Sequence, residues 1–359
     1  MDKIKDLLLK INVKKFTVVF CLILAIAGIF GISSIILVLK SVKDESIPQA
    51  VLYGRFPSPN PTGAVTNQSE FSIIFTGDVI PARSVNRTMV GKNDFTYPFL
   101  NTADFLKSAD LTIINLEAPL VTGCPVTDSG MVFCGDPRFI EGLKFSGIDV
   151  ASLANNHAGN YGKEGVDETV SILNGSGIET TGIHNIAYKD VKGVKFAFLG
   201  YNGVSPFPDY LSSIDKEKIQ QEVSEAKKNA DIVVVIYHWS AEYSPFPVAD
   251  SVAPFDPVEI AHLTVDSGAD LVVGNHPHWV QGYENYKGKM IFYALGNFVF
   301  DQMWSWDTRI GTLLKANYIG KNLESFEFFP IMIDNYSQPR FLEGTEKQQV
   351  LDMIESRKL

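Results

Sequence analysis

Short apolar runs alternate with helical patterns along most of the 359-residue chain, and this alternation limits its fold more than any other feature. Such a pattern is typical of an α/β fold, in which helices cover the faces of a sheet. Strands are predicted at residues 71–75, 111–115, 149–153, 195–200, 231–237, 270–273, 290–294, 313–319 and 325–333. Helices are predicted at residues 165–173, 215–229, 257–267 and 346–358.

Polar residues suited to metal binding or catalysis follow directly on five of the predicted strands. In an open α/β sheet, ligands bind beyond the carboxyl ends of the strands, so these loops can converge on one site. Two of the residues, His276 and His278, alternate around Pro277 and would point the same way in an extended loop. The residues are Asp78, Glu117, Asn155, Asn156, His157, His238, His276 and His278.

Taken singly, several of these residues also fit a structural role. Asp78 could cap a helix, Asn156 could serve a turn, and His238 could be a satisfied core histidine. Taken together, they offer imidazole, carboxylate and amide donors without a thiolate. Such a set suits one or two ions of Zn, Mn or Fe better than Ca, which prefers oxygen alone.

The N-terminal part of the chain reads as a membrane anchor. The uncharged run from Phe16 to Leu39 exceeds the roughly 20 residues that a helix needs to cross a bilayer. Lysines in residues 1–15 predict a cytoplasmic tail, which places everything after the helix outside the cytoplasm. A cleavable signal peptide is the alternative. Residues 40–69 are predicted to be a flexible linker, residues 70–340 a globular domain and residues 341–359 a C-terminal helix or tail.

Charge and cysteine content narrow the partners and the compartment. A net charge of -10 argues against a nucleic-acid partner, because such proteins neutralise phosphates with surplus Lys and Arg. An anionic ligand would therefore need a metal or a local arginine. Cys124 and Cys134 are the cysteines of the predicted exported part, and we expect them to form a disulfide in an oxidising compartment. Two free buried thiols are the alternative.

Five motifs occur in order between about Phe71 and Asp334. They read FTGDVIPAR, INLEAPL, LANNHAGNYGKEGVDET, IYHWSAEY and GADLVVGNHPHWVQGYENYKGKMIFYALGNFVFDQ. This set resembles the CapA or PgsA-type proteins of bacterial capsule and poly-gamma-glutamate biosynthesis, within the calcineurin-like metallophosphatase superfamily. The resemblance implies a β-sandwich flanked by helices in a four-layer αββα arrangement, here preceded by one transmembrane helix.

The resemblance also implies roles for individual residues. His157 matches a histidine that acts as a general acid or stabilises the transition state, and Arg83 matches an arginine that steadies an anion. The implied metal ligands are Asp78, Glu117, Asn156, His238, His276 and His278. Further residues expected to line the cleft are Asn155, Asn160, Glu242, Asn297, Asp301 and Gln302.

Two departures from the superfamily pattern bear on chemistry. Ile80 stands where ordinary metallophosphatases carry a histidine ligand, and Asn160 stands where the family often shows an aspartate. The first departure puts a symmetric two-metal site in doubt, and the second weakens the orientation of His157.

Three functions are compatible with this sequence. The first is a metal-dependent hydrolase outside the membrane, acting on a phosphorylated substrate or an anionic polymer of capsule biosynthesis. The second is a non-catalytic, polyanion-binding accessory subunit of a membrane complex for polymer synthesis or export. The third is a general secreted metallophosphoesterase.

Overall fold

The computed structural model describes residues 51–55 and 68–359. The predicted cytoplasmic tail and transmembrane helix, residues 1–15 and 16–39, lie outside the described residues. Within the described ranges, no helix has both the length and the apolar character needed to cross a membrane.

The strands and helices of the described residues are numbered in chain order. The strands are β1 (Val51–Arg55), β2 (Glu70–Val79), β3 (Leu111–Leu116), β4 (Val150–Ser152), β5 (Glu179–Thr181), β6 (Ala187–Val191), β7 (Val194–Asn202), β8 (Ile232–His238), β9 (Leu271–Asn275), β10 (Tyr283–Tyr286), β11 (Lys289–Phe292), β12 (Asn297–Val299), β13 (Ile310–Ile319), β14 (Asn322–Asp334) and β15 (Gln338–Phe341). The helices are α1 (Ser84–Lys92), α2 (Ala103–Leu106), α3 (Phe139–Phe145), α4 (Gly162–Asn174), α5 (Lys216–Asn229), α6 (Pro257–Asp266), α7 (Trp306–Arg309) and α8 (Gly344–Ser356).

The strands form two sheets in the part of the chain that the structure describes. The larger sheet has the order β1-β14-β13-β2-β3-β4-β5, with β12 beside β2 and β15 beside β14. The smaller sheet has the order β10-β11-β9-β8-β7-β6. The larger sheet contains the parallel strands β2 to β5, and the smaller sheet contains the parallel strands β7 to β9. Within each of these runs, the carboxyl ends of the strands lie at the same edge of the sheet. The predicted α/β fold is therefore confirmed as two sheets with helices.

Alternating residues of the strands build separate cores on the two faces of each sheet. Ile73 and Phe75 of β2 share one buried cluster with Phe196 and Phe198 of β7, so this core lies between the sheets. The outer face of the larger sheet packs against α1 to α4, and the outer face of the smaller sheet packs against α5 and α6. Each fully buried Leu, Ile or Phe side chain contributes about 1.5 to 3 kcal/mol to this packing.

The structure adds two elements to the predicted domain, the strand β1 before it and the helix α8 after it. β1 lies inside the stretch predicted to be a linker, residues 40–69, and pairs antiparallel with β14. In α8, Val350, Leu351 and Ile354 are buried in the core between the sheets. The C-terminal helix is therefore an integral part of the domain core.

Candidate metal centre

The residues predicted to form a site come together at the carboxyl ends of the parallel strands. Asp78 lies near the end of β2, and Glu117 follows β3 directly. Asn156 follows β4, and His238 is the last residue of β8. His276 and His278 follow β9. Both sheets thus contribute to one polar cluster, as expected from strand order in open α/β folds.

The loop after β9 differs from the extended conformation expected from sequence. His276 has a φ of 98° and His278 a φ of 57°, both in the left-handed region that few non-glycine residues adopt. Such conformations cost of order 1–3 kcal/mol each and persist where the surroundings fix them. The carbonyl of Pro277 accepts a hydrogen bond from the Tyr243 amide at 2.8 Å, which holds this turn. The extended loop was the wrong prediction, yet both imidazoles still face the cluster.

Asp78 and His278 form a buried pair. Asp78 Oδ2 lies 3.2 Å from His278 Nδ1, which also lies 2.9 Å from Asn297 Oδ1. Burial opposes the charge on His278, but the hydrogen bond with Asp78 and the negative charges of Glu117, Asp78 and Glu242 together outweigh it and raise the pKa of His278 to about 9. Burial likewise opposes the charge on Asp78, but the bond and the positive charge of His278 lower the pKa of Asp78 overall.

His238 lies at the centre of a second group of donors. Its Nε2 is 2.9 Å from Asn156 Oδ1, 3.1 Å from His276 Nδ1 and 3.3 Å from Glu117 Oε1. Burial lowers the pKa of His238 to about 3 and that of His276 well below its usual value. Both imidazoles are therefore neutral at pH 7, the form that binds metals.

Glu117 connects the two groups. It is fully buried, and its Oε1 has no hydrogen-bond partner among the described residues, although it lies 3.3 Å from His238 Nε2. Burial and the charge of Asp78 raise the pKa of Glu117 well above its usual range. A buried carboxylate oxygen without a partner is costly unless a proton or a cation satisfies it.

Among the described residues, three sets of side chains have donor atoms within 4.8 Å of one another, close enough to share a cation. Glu117 belongs to two of these sets, and both combine carboxylate with imidazole. No sulfur is included, so the donors fit a divalent ion such as Zn, Mn or Fe. The sets are Glu117, His238 and His276; Asp78, Glu117 and His278; and Glu242, His276 and His278.

His157 lies beside this cluster and is neutral at pH 7. Its Nδ1 is 3.0 Å from Asn160 Oδ1, which also accepts a hydrogen bond from the Phe133 amide at 2.6 Å. Because that oxygen is an acceptor, Nδ1 carries the proton and Nε2 is left as an acceptor. Burial lowers the pKa of His157 to about 4, despite the bond to Asn160.

A family model described as "Bacterial capsule synthesis protein PGA_cap" matches residues 72–302, which include every residue of the cluster. The chain belongs to the bacterial capsule synthesis protein family. The PGA biosynthesis protein CapA of Bacillus subtilis strain 168 is 30% identical over 299 residues, which cover 78% of this chain and 76% of that protein. The capsule biosynthesis protein CapA of Bacillus anthracis is 29% identical over 304 residues, with coverage of 78% and 72%.

The family resemblance seen in the sequence is thereby confirmed. Among solved structures, a phosphatase from Mycoplasma pneumoniae matches with a TM-score of 0.49 and 13% identity, covering 80% of this chain and 100% of that chain.

Arg83, expected to steady an anion, is paired with a carboxylate. Its Nε donates to Asp301 Oδ1 at 3.1 Å, its Nη2 contacts the same oxygen, and its Nη1 donates to the carbonyl of Gly130 at 3.3 Å. The guanidinium also lies 4.9 Å from the ring centres of Phe133 and Phe300. An anion would have to compete with Asp301 for this arginine.

The remaining predicted cleft residues divide into supporting and accessible groups. Asn155 is fully buried and donates to Asn115 Oδ1 and to the carbonyl of Leu116, at 3.0 and 2.9 Å, so it joins the loop after β4 to the end of β3. Asn297 donates to Thr308, and Gln302 donates to the Tyr243 hydroxyl at 3.1 Å. Glu242 is exposed.

Ile80, in place of the expected histidine, has apolar neighbours. It is fully buried in a small cluster whose other members are Ala82, Ala118, Phe133 and Phe300. Ile80 therefore offers no donor atom to a cation at this position.

Asn115 is central to the site although no role was predicted for it. Its Nδ2 donates to Asp78 Oδ1 at 2.8 Å and lies 3.4 Å from Glu117 Oε2 and 3.3 Å from His238 Nδ1. A signal was present, because residues two apart in a strand share a face, and Asn115 precedes Glu117 by two.

Cys124 and Cys134 form a disulfide with a Cα separation of 5.8 Å. This is the pairing expected for an oxidising compartment. The loop that it closes, residues 124–134, carries Phe133, which lies against His157 with ring centres 4.0 Å apart.

Proposed function

We propose that the chain is a membrane-anchored, extracytoplasmic, metal-dependent hydrolase that acts on a phosphorylated substrate or an anionic polymer in poly-gamma-glutamate or capsule biosynthesis. Two relatives at about 30% identity are named for capsule and PGA biosynthesis, which supports the polymer context. The anchor rests on the uncharged run from Phe16 to Leu39.

The observation that carries the proposal is the buried, unpartnered Oε1 of Glu117 between two sets of donors. Glu117, His238 and His276, with Asn156, would hold one ion. Asp78, Glu117 and His278 would hold a second, which lacks the ligand that Ile80 replaces. Divalent ions supply Lewis acidity and a nucleophile for phosphoester hydrolysis when bound.

His157 would move the proton in this reaction. With the proton on Nδ1 donated to Asn160, Nε2 is free to accept one. A role as general acid therefore requires that His157 first take up a proton and then pass it to the leaving group. Asn160 holds the ring in this tautomer in place of the aspartate often seen in the family, so the imidazolium gains less electrostatic support.

A non-catalytic role as a polyanion-binding accessory subunit is the second candidate. It is favoured by Ile80, which leaves one set of donors short of a ligand, and by Asn160, whose neutral amide supports a charged His157 less than an aspartate would. Both features weaken turnover more than they weaken the binding of an anion.

The test uses the full-length protein after chelation and after reloading with Mn²⁺, Zn²⁺ or Fe²⁺. Bis(p-nitrophenyl) phosphate and poly-gamma-glutamate serve as probes, with His276→Ala and His157→Ala as variants. The hydrolase proposal predicts turnover that requires metal, is lost in His276→Ala and is strongly reduced but still measurable in His157→Ala. Metal and polymer binding without turnover of either probe would support the accessory role, and the absence of metal binding would overturn both.

A further inference from the structure

The disulfide loop, residues 124–134, forms one side of the site. Its outward side chains Val126, Met131 and Val132 are 51%, 65% and 67% exposed. Phe133 is only 2% exposed, because it turns in the opposite direction. The loop therefore presents one large apolar ring to the interior, next to Cys134.

Phe133 contacts His157 through both its ring and its backbone. The two rings are stacked, with centres 4.0 Å apart and planes 25° from parallel. The Phe133 amide donates to Asn160 Oδ1, the same oxygen that lies 3.0 Å from His157 Nδ1. Phe133 thus covers one face of the His157 imidazole, and its amide holds Asn160, whose side-chain oxygen sets the tautomer of His157.

The loop is tied to the domain on both sides of Phe133. Cys134 is bonded to Cys124, and its sulfur lies 3.3 Å from the Tyr161 hydroxyl. The carbonyl of Gly130 accepts a hydrogen bond from Arg83, whose guanidinium also lies over the Phe133 ring. These contacts restrict the loop where it passes His157.

We propose that Phe133 is a positioning residue for His157 and that the Cys124–Cys134 disulfide holds it in place. The effect of Phe133 on catalysis rests on the proposed hydrolase function, whereas its effect on the position of the His157 ring does not depend on that function. Stacking removes a face of the ring from water and limits its rotation. His157 is accordingly only 8% exposed although it lies in a loop at the edge of the site.

The placement is tested by diethyl pyrocarbonate labelling of the full-length protein, read at each histidine by mass spectrometry. We expect His157 to react several-fold faster in Phe133→Ala and in the Cys124→Ser/Cys134→Ser double variant than in wild type. Val132→Ala, which changes the exposed neighbour on the same loop, is the matched control and should react as wild type does. His238 and His276, both buried, should stay protected, which shows that the fold is intact.

Phe133→Leu keeps an apolar side chain and covers the case in which Phe133→Ala does not fold. We expect His157 to react faster in Phe133→Leu as well, because a branched side chain cannot stack on the imidazole. Wild-type labelling of His157 in Phe133→Leu, or in a folded Phe133→Ala, would overturn the proposal.

The catalytic consequence is read from kcat and KM for bis(p-nitrophenyl) phosphate. Phe133→Ala should lower kcat with little change in KM, and Phe133→Tyr should keep most of the wild-type kcat. In a His157→Ala background, Phe133→Ala should cause no further decrease in kcat. Equal losses from Phe133→Ala with and without His157 would contradict the positioning role. If the wild-type protein has no turnover, the proposed hydrolase fails while labelling still decides the placement of His157.

Discussion

The side-chain amide of Asn115 donates to Asp78 Oδ1 at 2.8 Å and links the ends of the neighbouring strands β2 and β3 beneath the candidate metal centre. The same nitrogen lies within 3.4 Å of Glu117 and His238, so one side chain touches both proposed sets of ligands.

Replacing Asn115 with Leu should weaken metal binding more than it weakens the fold. Groups that orient metal ligands typically contribute about 10- to 100-fold to affinity, and an unpaired buried polar group costs about 1–3 kcal/mol. Metal affinity is measured by Mn²⁺ titration of protein from which metal has been removed with a chelator, and stability is measured by thermal unfolding. Asn317→Leu, which removes amide hydrogen bonds to Ser325 and Glu327, is the control that should lower stability alone.

Metal binding at pH 7 should release protons. The hydrogen bond to Asp78 and the neighbouring carboxylate charges outweigh burial and raise the pKa of His278 to about 9, so this imidazole is charged in the metal-free protein and must become neutral to bind a cation. Calorimetry in two buffers of different ionisation enthalpy should detect the release, and His278→Gln should lower it by about one proton. Equal heats in both buffers would contradict the pairing of His278 with Asp78.

The metal-free protein should lose stability as the pH falls from about 6.5 to 4, in part through His157. Burial lowers the pKa of His157 to about 4 in the folded state, from 6.5, so the unfolded chain binds more protons in this window. Stability from this group is therefore present above pH 6.5 and is lost as the pH falls toward 4.

His157→Gln removes this contribution. The difference in unfolding free energy between wild type and variant should shrink by up to about 1.4 kcal/mol per pH unit in that window. Urea unfolding at several pH values measures it. A difference that stays constant from pH 7 to 4.5 would show that His157 is not held neutral by burial.

Glu242 should matter for metal binding although it is exposed. Its carboxylate belongs to one set of donor atoms with His276 and His278. Glu242 is the exposed carboxylate among the three sets, so it can approach a cation from the solvent side. Glu242→Gln should reduce metal content or affinity of the full-length protein, as measured by elemental analysis and Mn²⁺ titration. Glu259→Gln, at an exposed carboxylate on α6, is the matched control. Identical binding by both variants would remove Glu242 from the ligand set.

Much of the fold could be predicted because its strands are apolar and bounded by clear turns. The runs that became β2, β3, β8 and β9 lie in the parallel parts of the two sheets and are buried on both faces, where continuous apolar sequence is the expected pattern. β1 could not be predicted in the same way, because five residues within a Pro- and Gly-rich stretch carry too little pattern of their own. Its pairing with β14 depends on tertiary contact.

Residue type and strand order were enough to predict which residues meet at the site, but not their pairings or their backbone conformations. The convergence of Asp78, His238 and His278 could be inferred from their positions after strands. The pairing of Arg83 with Asp301 joins residues 218 positions apart, and the local sequence of neither one indicates it. The left-handed conformations of His276 and His278 were likewise hidden, since they result from packing around the loop.

The most direct test of the metal centre is an anomalous difference map from crystals of the full-length protein grown with Mn²⁺ or Zn²⁺ and measured at the metal edge. We predict a peak about 2 Å from donor atoms of Glu117, His238 and His276, with a second peak, if present, beside Asp78 and His278. A fully loaded crystal with its peaks elsewhere, or with Glu117 Oε1 bonded to protein instead of metal, would contradict the account.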